Sequence, residues 1–424
     1  MSDRTILVWF RNDLRVSDNE ILLEATRKAD KVLPLYIFDP YYFTTDADGL
    51  QKTGSIRSKF LIESVGNLRE NLQALGGNLM VRIGDPAEII PQVAQQYQVN
   101  EVYHHREVSF EETAISEKVE SALWKIKLNL KHFIGHTLYH KEDLPFPIKD
   151  IPDSFTIFKK KVERDSVVRP VVPTPDSISI PDNFEAGIIP SLADLGLQEP
   201  VTDPRVRFSF TGGETAGKLQ LQNALESSTA VVAKAGKTGK FNTGLSPWIT
   251  VGCLSPREVY HSFMSKFQHQ NNPVVLDLLW RDYFRFMFKK HGSANFFKVE
   301  GFSGEVPELS QEQEESFNRW KTASTDNETV NVSITELNTT GYIPNNLRQI
   351  SAQYLTEGLK VDWTRGARWF EAKLIDYSPA SNWGNWAFVS GVGNDVKFTA
   401  NFKMPSISND EHTAKWQAAV INAE

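Results

Sequence analysis

The sequence is almost without cysteine: one residue of this type, Cys253, occurs among 424. A single cysteine excludes disulfides within the chain and zinc sites built from several thiolates, and it fits a reducing compartment. Long apolar runs are also missing, since no segment approaches the roughly 18 residues that a membrane helix needs. The run at 6–10 is too short for a signal peptide. We therefore expect a cytoplasmic protein that does not span a membrane.

Several common nucleotide-binding and catalytic motifs are absent or incomplete. No G-x-G-x-x-G follows the first apolar run, and neither G-x-S-x-G nor H-E-x-x-H occurs. One phosphate-loop pattern has Leu219 where Ser or Thr is required, and a second has Val231 in place of its first glycine. The adjacent His104 and His105 would point to opposite sides of a strand, which suits a metal poorly. Ordinary hydrolase and metalloprotease sites are thus excluded, and we expect no metal.

Positive charge is scarce for a protein that binds a polyanion, because the formal net charge is −7. Contact with nucleic acid would therefore need a local basic patch. Aromatic residues, in contrast, accumulate toward the C-terminus, where seven of the ten tryptophans lie from Trp280 onward. Either these rings form a large aromatic core, or they build a π-rich site for a cofactor or a base.

The first part of the chain alternates apolar runs with helical periodicity. The apolar runs predict strands at 6–10, 32–39, 78–84, 101–105 and 131–136. A helical spacing of apolar residues covers 58–75. Strands that alternate with helices form parallel sheets through right-handed crossovers. We therefore predict that residues 1–135 form an α/β domain with a doubly wound parallel sheet.

The rest of the chain divides into a connector and a helical domain. Residues 136–205 contain ten of the 21 prolines, which predicts a long connector on the surface. Helical patterns dominate residues 206–424, so this part is predicted to be an all-α domain. Two helices are predicted to begin at Ser246 and Ser255. Further helices are predicted at 276–290, 333–340, 345–359 and 365–376.

Two stretches of the helical domain could carry chemistry. Arg281, Arg285 and Lys289 recur every four residues beside Trp280, which is typical either of a site for single-stranded nucleic acid or of a solvated helix face. The second stretch, 374–395, combines glycines and tryptophans with polar residues that could bind a planar heterocycle. A buried arginine beside such a ring would need a carboxylate. The other interpretation of this stretch is a helix-capping turn with core tryptophans.

Seven segments of the sequence resemble, in order, the photolyase and cryptochrome family, and its DASH branch in particular. They are VWFRNDLRVSDN, RSKFLIESVGNLRENLQALGGNL, TLYHKEDLPF, GGETAGKLQL, LSPWITVGCLSPREVY, LLWRDYFRFM and SNWGNWAFVSGVGND. The resemblance covers nearly the whole chain. It implies an N-terminal α/β domain that binds an antenna chromophore and a C-terminal helical domain that buries a folded FAD.

The same resemblance implies roles for individual residues. It assigns the FAD phosphates to the loop Asn242, Thr243, Gly244, Leu245 and Ser246. It places around the flavin the side chains of Asp277, Arg281, Asn345, Arg348, Asp376, Ser378 and Asn382. Trp386 and Trp363 match the two inner members of a tryptophan electron chain, and Arg348 and Asp376 match an ion pair beside the isoalloxazine. Glu107 matches the carboxylate that binds a folate antenna, 5,10-methenyltetrahydrofolate.

The sequence departs from the family pattern at several positions. No tryptophan lies near Ser310, where the third, surface member of the electron chain is expected. Photoreduction would then end early or use another aromatic residue, such as Trp369. Asn346 replaces a basic residue expected to contact DNA, and Ser378 replaces a second aspartate near the flavin. These departures affect DNA binding most.

Two functions follow from the resemblance. The first is light-driven repair of cyclobutane pyrimidine dimers in single-stranded DNA by electron transfer from reduced FAD, in a monomer. Trp280 would stack on the flipped lesion, Gln349 and Phe388 would line the cavity, and Arg281 and Arg285 would bind phosphates. The alternative is a non-catalytic blue-light receptor that binds DNA weakly.

Overall fold

A computed structural model of the chain describes residues 3–46, 49–201, 203, 210–232, 243–267, 272–292 and 308–393. Its N-terminal part contains a parallel sheet of five strands in the order β3-β2-β1-β4-β5. The strands are β1 (Thr5–Phe10), β2 (Lys31–Phe38), β3 (Met80–Ile83), β4 (Glu101–His105) and β5 (Leu130–Phe133). β1 is central, pairing through Ile6 with Val32 on one side and with Glu101 on the other. The prediction of a parallel α/β sheet is confirmed.

Side chains of β1 alternate between two apolar cores. Ile6, Val8 and Phe10 pack on one face of the sheet, and Leu7 and Trp9 pack on the other. Helices cover both faces, as a parallel sheet requires. They are α1 (Glu20–Lys28), α2 (Ser55–Ala74), α3 (Pro86–Gln96) and α4 (Phe110–Lys125). The sheet is therefore doubly wound.

The predicted connector is partly structured. It contains the short helix α5 (Phe155–Asp165), which packs against a long helix of the C-terminal part. The remaining helices are α6 (Glu214–Val232), α7 (Ser246–Thr250), α8 (Pro256–Lys266), α9 (Pro273–His291), α10 (Gln311–Lys321), α11 (Glu328–Thr340), α12 (Asn345–Gln353), α13 (Trp363–Lys373) and α14 (Pro379–Val389). A π-helical turn, Tyr354–Gly358, continues α12. The prediction of a helical C-terminal domain is confirmed, although α6, α10 and α14 were not predicted.

Buried polar contacts join the two domains. Arg15 Nη1 donates to the carbonyl of Gly252 at 2.9 Å, and Arg257 Nη2 donates to Asp18 Oδ1 at 2.7 Å. Gly252 has a φ of +72°, and a Cβ there would lie 1.9 Å from the carbonyl oxygen of Asn12. Only glycine allows this approach. Among the described helices, none is both long and apolar enough to cross a bilayer.

Candidate functional site

A pocket lies between α12, α14 and the loop that joins α13 to α14. It brings together most of the residues that the sequence placed around a flavin. They are Asn345, Arg348, Asp376, Ser378 and Asn382, whereas Asp277 and Arg281 do not line the pocket. Gln349, predicted to line the lesion cavity, and Trp386, predicted for the electron chain, also lie in its wall. Apolar side chains such as Phe370 and Leu374 complete the wall, so the pocket offers a few polar groups on an apolar surface, as cofactor sites do.

The polar center of this pocket is the ion pair between Arg348 and Asp376. Arg348 Nη2 donates to Asp376 Oδ2 at 2.8 Å, and Ser246 Oγ donates to the same oxygen at 2.6 Å. Burial alone would lower the pKa of Arg348, but Asp376 raises it above its usual value. Asp376 Oδ1 is buried and has no hydrogen-bond partner. A buried carboxylate oxygen without a donor is costly, so this atom points to a ligand with a donor group.

The loop that carries Asp376 is held by the N-terminus of α2. Arg57 Nη1 donates to the carbonyls of Leu374, at 2.9 Å, and Glu371, and the guanidinium lies 4.9 Å from the ring center of Tyr377. These bonds satisfy carbonyls at the C-terminal end of α13. Sequence reasoning missed Arg57, because nothing in its local sequence indicates partners more than 300 residues away.

Asn382 lies on the first turns of α14, with 7% of its surface exposed. Its Nδ2 donates to the carbonyl oxygen of Ala367 at 3.0 Å. Because a carbonyl only accepts, this bond fixes the orientation of the amide, and the remaining polar atom, Oδ1, is an acceptor. Asn382 can therefore offer an acceptor to a ligand in the pocket.

Trp386 is buried and lies edge-on to Phe370, with ring centers 5.0 Å apart. Its indole covers Gly366 of α13, where a Cβ would come 2.2 Å from the ring. Trp363, three residues before Gly366, contacts Trp383 with ring centers 5.8 Å apart. Trp320, by contrast, is fully buried and packs on Phe317 and Phe370.

The predicted phosphate loop adjoins the pocket. Asn242 lies outside the described residues, and the carbonyl of Thr243 accepts from Gln220 Nε2 at 2.9 Å. Gly244 has a φ of +64°, which favours glycine, and Leu245 is buried. Ser246, predicted to bind phosphate, donates to Asp376 instead. In the described structure, this hydroxyl therefore helps to place the ion pair.

The basic stripe of α9 is not a surface for phosphates. Arg285 is buried, and its Nη2 donates to Glu107 Oε2 at 2.7 Å, so its predicted contact with DNA is wrong. Arg281 is half-buried and donates to the carbonyl of His136, while burial and nearby Arg285 lower its pKa to about 10. Of the three cations in the stripe, Lys289 alone is exposed.

Trp280 also differs from its predicted use. Its ring stacks on Phe155 of α5, with centers 3.5 Å apart and planes 9° apart. Phe284 lies over the ring at 5.5 Å, and Phe388 meets it edge-on at 5.4 Å. Stacking of a base on Trp280 would require Phe155 or Phe284 to move, so the prediction that this ring stacks on a lesion does not fit the structure. Asp277, one turn earlier, is exposed.

Glu107 lies in a closed network at the domain junction. Oε2 accepts from Arg285, and Oε1 accepts from Asn12 Nδ2 at 2.8 Å and lies 3.3 Å from His136 Nε2. Burial alone would raise the pKa of Glu107, but His136 and Arg285 hold it below its ordinary range. Burial and the negative charge of Glu107 raise the pKa of nearby Glu112 to about 7.

A second, larger cleft lies between the domains at the carboxyl ends of β1 and β2. Ligands of open parallel sheets bind at the carboxyl edge near the point where the strand order reverses, which in this sheet lies between β1 and β4. Arg11, Asn12, Lys52 and Glu112 line the cleft together with aromatic rings, and Arg285 reaches it from the helical domain. The sequence analysis did not predict this cleft. The polar residues that directly follow the apolar run 6–10, Arg11 and Asn12, could have indicated it.

Comparisons with known proteins agree with this architecture. Residues 6–176 match the model of the DNA photolyase domain, and residues 274–415 match the FAD-binding domain of DNA photolyase. A cryptochrome DASH from Gloeobacter violaceus is 40% identical over 408 residues, which cover 94% of this chain and 81% of that protein.

Two solved structures are also similar. The Synechocystis cryptochrome has a TM-score of 0.87 and 35% identity, and the match covers 98% of this chain and 86% of that one. An archaeal photolyase from Sulfolobus tokodaii, solved with two FAD molecules, has a TM-score of 0.75 and 25% identity, covering 94% of this chain and 85% of that one.

Proposed function

The chain belongs to the photolyase and cryptochrome family, among the cryptochromes DASH, and from this we propose that it repairs cyclobutane pyrimidine dimers in single-stranded DNA by using blue light and reduced FAD. When bound, FAD supplies the photoexcited electron that splits the dimer. The chain has to bind the flavin, set the hydrogen bonds of its ring and admit the lesion.

The unpartnered Oδ1 of Asp376 is the observation that carries the FAD proposal. A flavin ring has an N–H group that a buried carboxylate oxygen can accept from, and Arg348 beside it compensates the charge of Asp376. The mixture of apolar wall and few polar groups also suits an isoalloxazine. The residues present therefore fit the group that the family implies.

Asn382 would control which protonation state of the flavin is favoured. Its Oδ1 is an acceptor, because Nδ2 is bound to Ala367. An acceptor stabilises a ring nitrogen that carries a proton, which is the condition in reduced flavin. We expect Asn382→Asp to change the reoxidation rate of the reduced protein in air, measured by flavin absorbance. An unchanged rate would remove Asn382 from this role.

The lesion would enter beside Asn345 and Gln349, which lie on α12 at the pocket. Phe388 offers an apolar edge on α14. Single-stranded DNA is favoured because an unpaired, damaged base costs only about a few kcal/mol to extrude. Since Arg285 is buried, the phosphates would need other cations, such as the exposed Lys289.

A non-catalytic blue-light receptor is the second candidate, and one observation favours it. Trp280 has its ring between Phe155 and Phe284, so a base cannot stack on it without rearrangement. Illumination of the reduced protein with a dimer-containing single-stranded oligonucleotide separates the two functions. Repair predicts recovery of thymine absorbance in light and none in the dark. If thymine absorbance does not recover although FAD is bound and reduced, the blue-light receptor is the remaining candidate function.

We propose that an antenna chromophore, 5,10-methenyltetrahydrofolate, binds in the cleft between the domains. Glu107 would act there through its partners, since Asn12 and Arg285 line the cleft while Glu107 lies behind them. A second flavin, as in the Sulfolobus protein, is the competing ligand for this cleft. Absorbance of the chromophores released from purified protein identifies the ligand, and FAD as the sole chromophore would contradict an antenna.

A further inference from the structure

Three tryptophans lie on α13 and α14, which pack against each other. Trp386 covers Gly366, Trp363 lies one turn before Gly366, and Trp383 lies one turn before Trp386. The rings of Trp363 and Trp383 are 5.8 Å apart between centers and nearly perpendicular, at 79°. The electron chain expected from the sequence included Trp386 and Trp363 but not Trp383. Ser310, where a third tryptophan is missing, caps α10 instead.

Trp383 has two properties that a terminal electron donor needs. Its side chain is half-buried, so solvent can stabilise a charge on the ring. Its Nε1 donates to Tyr377 Oη at 3.2 Å, which gives the indole proton an acceptor. Tyr377 itself lines the interdomain cleft, so this acceptor lies beside that cleft.

The other tryptophans near the chain are poorer candidates. Trp369 has Lys373 Nζ at 4.7 Å and Lys321 Nζ at 5.6 Å from its ring center. Two ammonium groups attract a neutral ring but repel a ring that has lost an electron. Trp320 lies 6.4 Å from Trp386 but is fully buried, and its Nε1 is bound to the carbonyl of Ser351 at 3.1 Å. A charge on Trp320 would have no access to solvent.

Tyr377 is not expected to carry the positive charge either. The guanidinium of Arg57 lies 4.9 Å from its ring center, which opposes a cation on that ring. Burial also raises the pKa of Tyr377 well above its usual value, so the phenol remains protonated. Its oxygen therefore serves as a hydrogen-bond acceptor beside Trp383.

We propose that Trp383 is the terminal electron donor of this chain, in place of a tryptophan near residue 310. The inference rests on the proposed function, because the oxidant is a photoexcited oxidised flavin. One electron passes from Trp383 to oxidised Trp363, which becomes neutral, and no bond breaks. The Trp383 radical cation then loses its Nε1 proton through Tyr377 to water. A soluble thiol later returns one electron and one proton.

Trp383→Phe in the full-length, FAD-loaded protein tests the proposal, with Trp369→Phe as the matched control. We expect the yield of long-lived tryptophan radical after a light flash to fall by about an order of magnitude in Trp383→Phe, because charge on Trp363 recombines before it is stabilised. Trp369→Phe should retain the parental yield. A parental yield in Trp383→Phe, or a loss confined to Trp369→Phe, would overturn the inference.

Two further measurements keep the test decisive. In the dark, the perpendicular Trp363–Trp383 pair should give a near-ultraviolet circular dichroism band that is lost in Trp383→Phe and kept in Trp369→Phe. Tyr377→Phe, which removes the proton acceptor but no indole, should prolong the cationic form of the radical. An unchanged cation lifetime would contradict the proton route. If the parent binds FAD but is not photoreduced, this inference fails, whereas the proposed repair is tested separately with protein whose FAD has been reduced chemically.

Discussion

Two arginine–carboxylate pairs, each with a buried carboxylate, have similar distances and different surroundings. Arg285 and Glu107 are 2.7 Å apart at the domain junction, and Arg348 and Asp376 are 2.8 Å apart in the flavin pocket. Both oxygens of Glu107 have partners, whereas Asp376 keeps one buried oxygen without a donor. We call the first pair closed, because both carboxylate oxygens have partners, and it holds elements of the two domains together. We call the second pair open, because one buried oxygen lacks a donor and is available to a ligand. The type of residue pair alone does not distinguish the two.

The largest expected effect tests the closed pair. Glu107→Gln keeps the shape of the side chain but removes the carboxylate that is hydrogen-bonded to the buried Arg285. Removing one partner of a buried pair costs about 3–5 kcal/mol. We expect a loss of this size in the free energy of unfolding, measured by denaturant titration. Glu101→Gln, in the half-exposed pair with Arg4, should cost at most about 1 kcal/mol. Equal effects in the two variants would show that the junction is not closed.

The next effect tests the open pair. Asp376→Asn should weaken FAD binding by about 2–3 kcal/mol, or roughly a hundredfold in the dissociation constant, because the carboxylate contacts Arg348 and, in the proposed site, would also accept from the flavin. Flavin fluorescence during titration of the apoprotein measures this constant. Asp143→Asn, which breaks a similar pair with Arg169 outside the pocket, is the matched control and should retain parental affinity. Retained affinity in Asp376→Asn would place the flavin elsewhere.

A smaller effect concerns pH at the closed network. Because the pKa of Glu112 is raised from 4.5 to about 7, the folded protein keeps a proton that the unfolded chain loses. The contribution of this group to stability therefore falls as pH rises through that range. The Glu112→Gln variant has no carboxyl group to ionise at this position. It should therefore be more stable than the parent by about 1–2 kcal/mol above pH 7, and equally stable below pH 4.5.

Thermal unfolding of Glu112→Gln and its parent across this range measures the difference. Gln at position 112 can still complete the capping box with Ser109, so the start of α4 is preserved. Glu117→Gln, an exposed position on the same helix, should leave the pH dependence as in the parent. A constant difference between Glu112→Gln and its parent at all pH values would show that Glu112 is ionised in the fold.

The smallest effect is expected for Ser246→Ala. Its hydroxyl donates to the same oxygen of Asp376 as Arg348 does, and one such bond contributes about 1 kcal/mol. FAD affinity should fall severalfold, while Ser265→Ala, an exposed serine on α8, should change nothing. A loss as large as that of Asp376→Asn would indicate that Ser246 binds the flavin directly.

Most of the fold followed from the sequence, because continuous apolar runs and helical spacing are local signals. The helix α14 was missed because glycine, asparagine and serine dominate its first turns and resemble a turn. The flavin pocket followed from the resemblance. The burial of Arg285 could not be predicted from a four-residue spacing, since its partner Glu107 lies 178 residues away and only the packed fold shows which face of α9 is covered.

The contact of Arg57 with the loop before α14 also affects how the protein folds. The donor on α2 and the acceptor carbonyl of Leu374 are 317 residues apart, so this contact forms late and raises the contact order of the fold. During synthesis, α2 emerges long before the loop, and N-terminal domains fold first. The loop before α14 therefore reaches its final conformation by packing on the α/β domain. Residues 206–424 expressed alone should form helices but should not form the pocket that binds FAD.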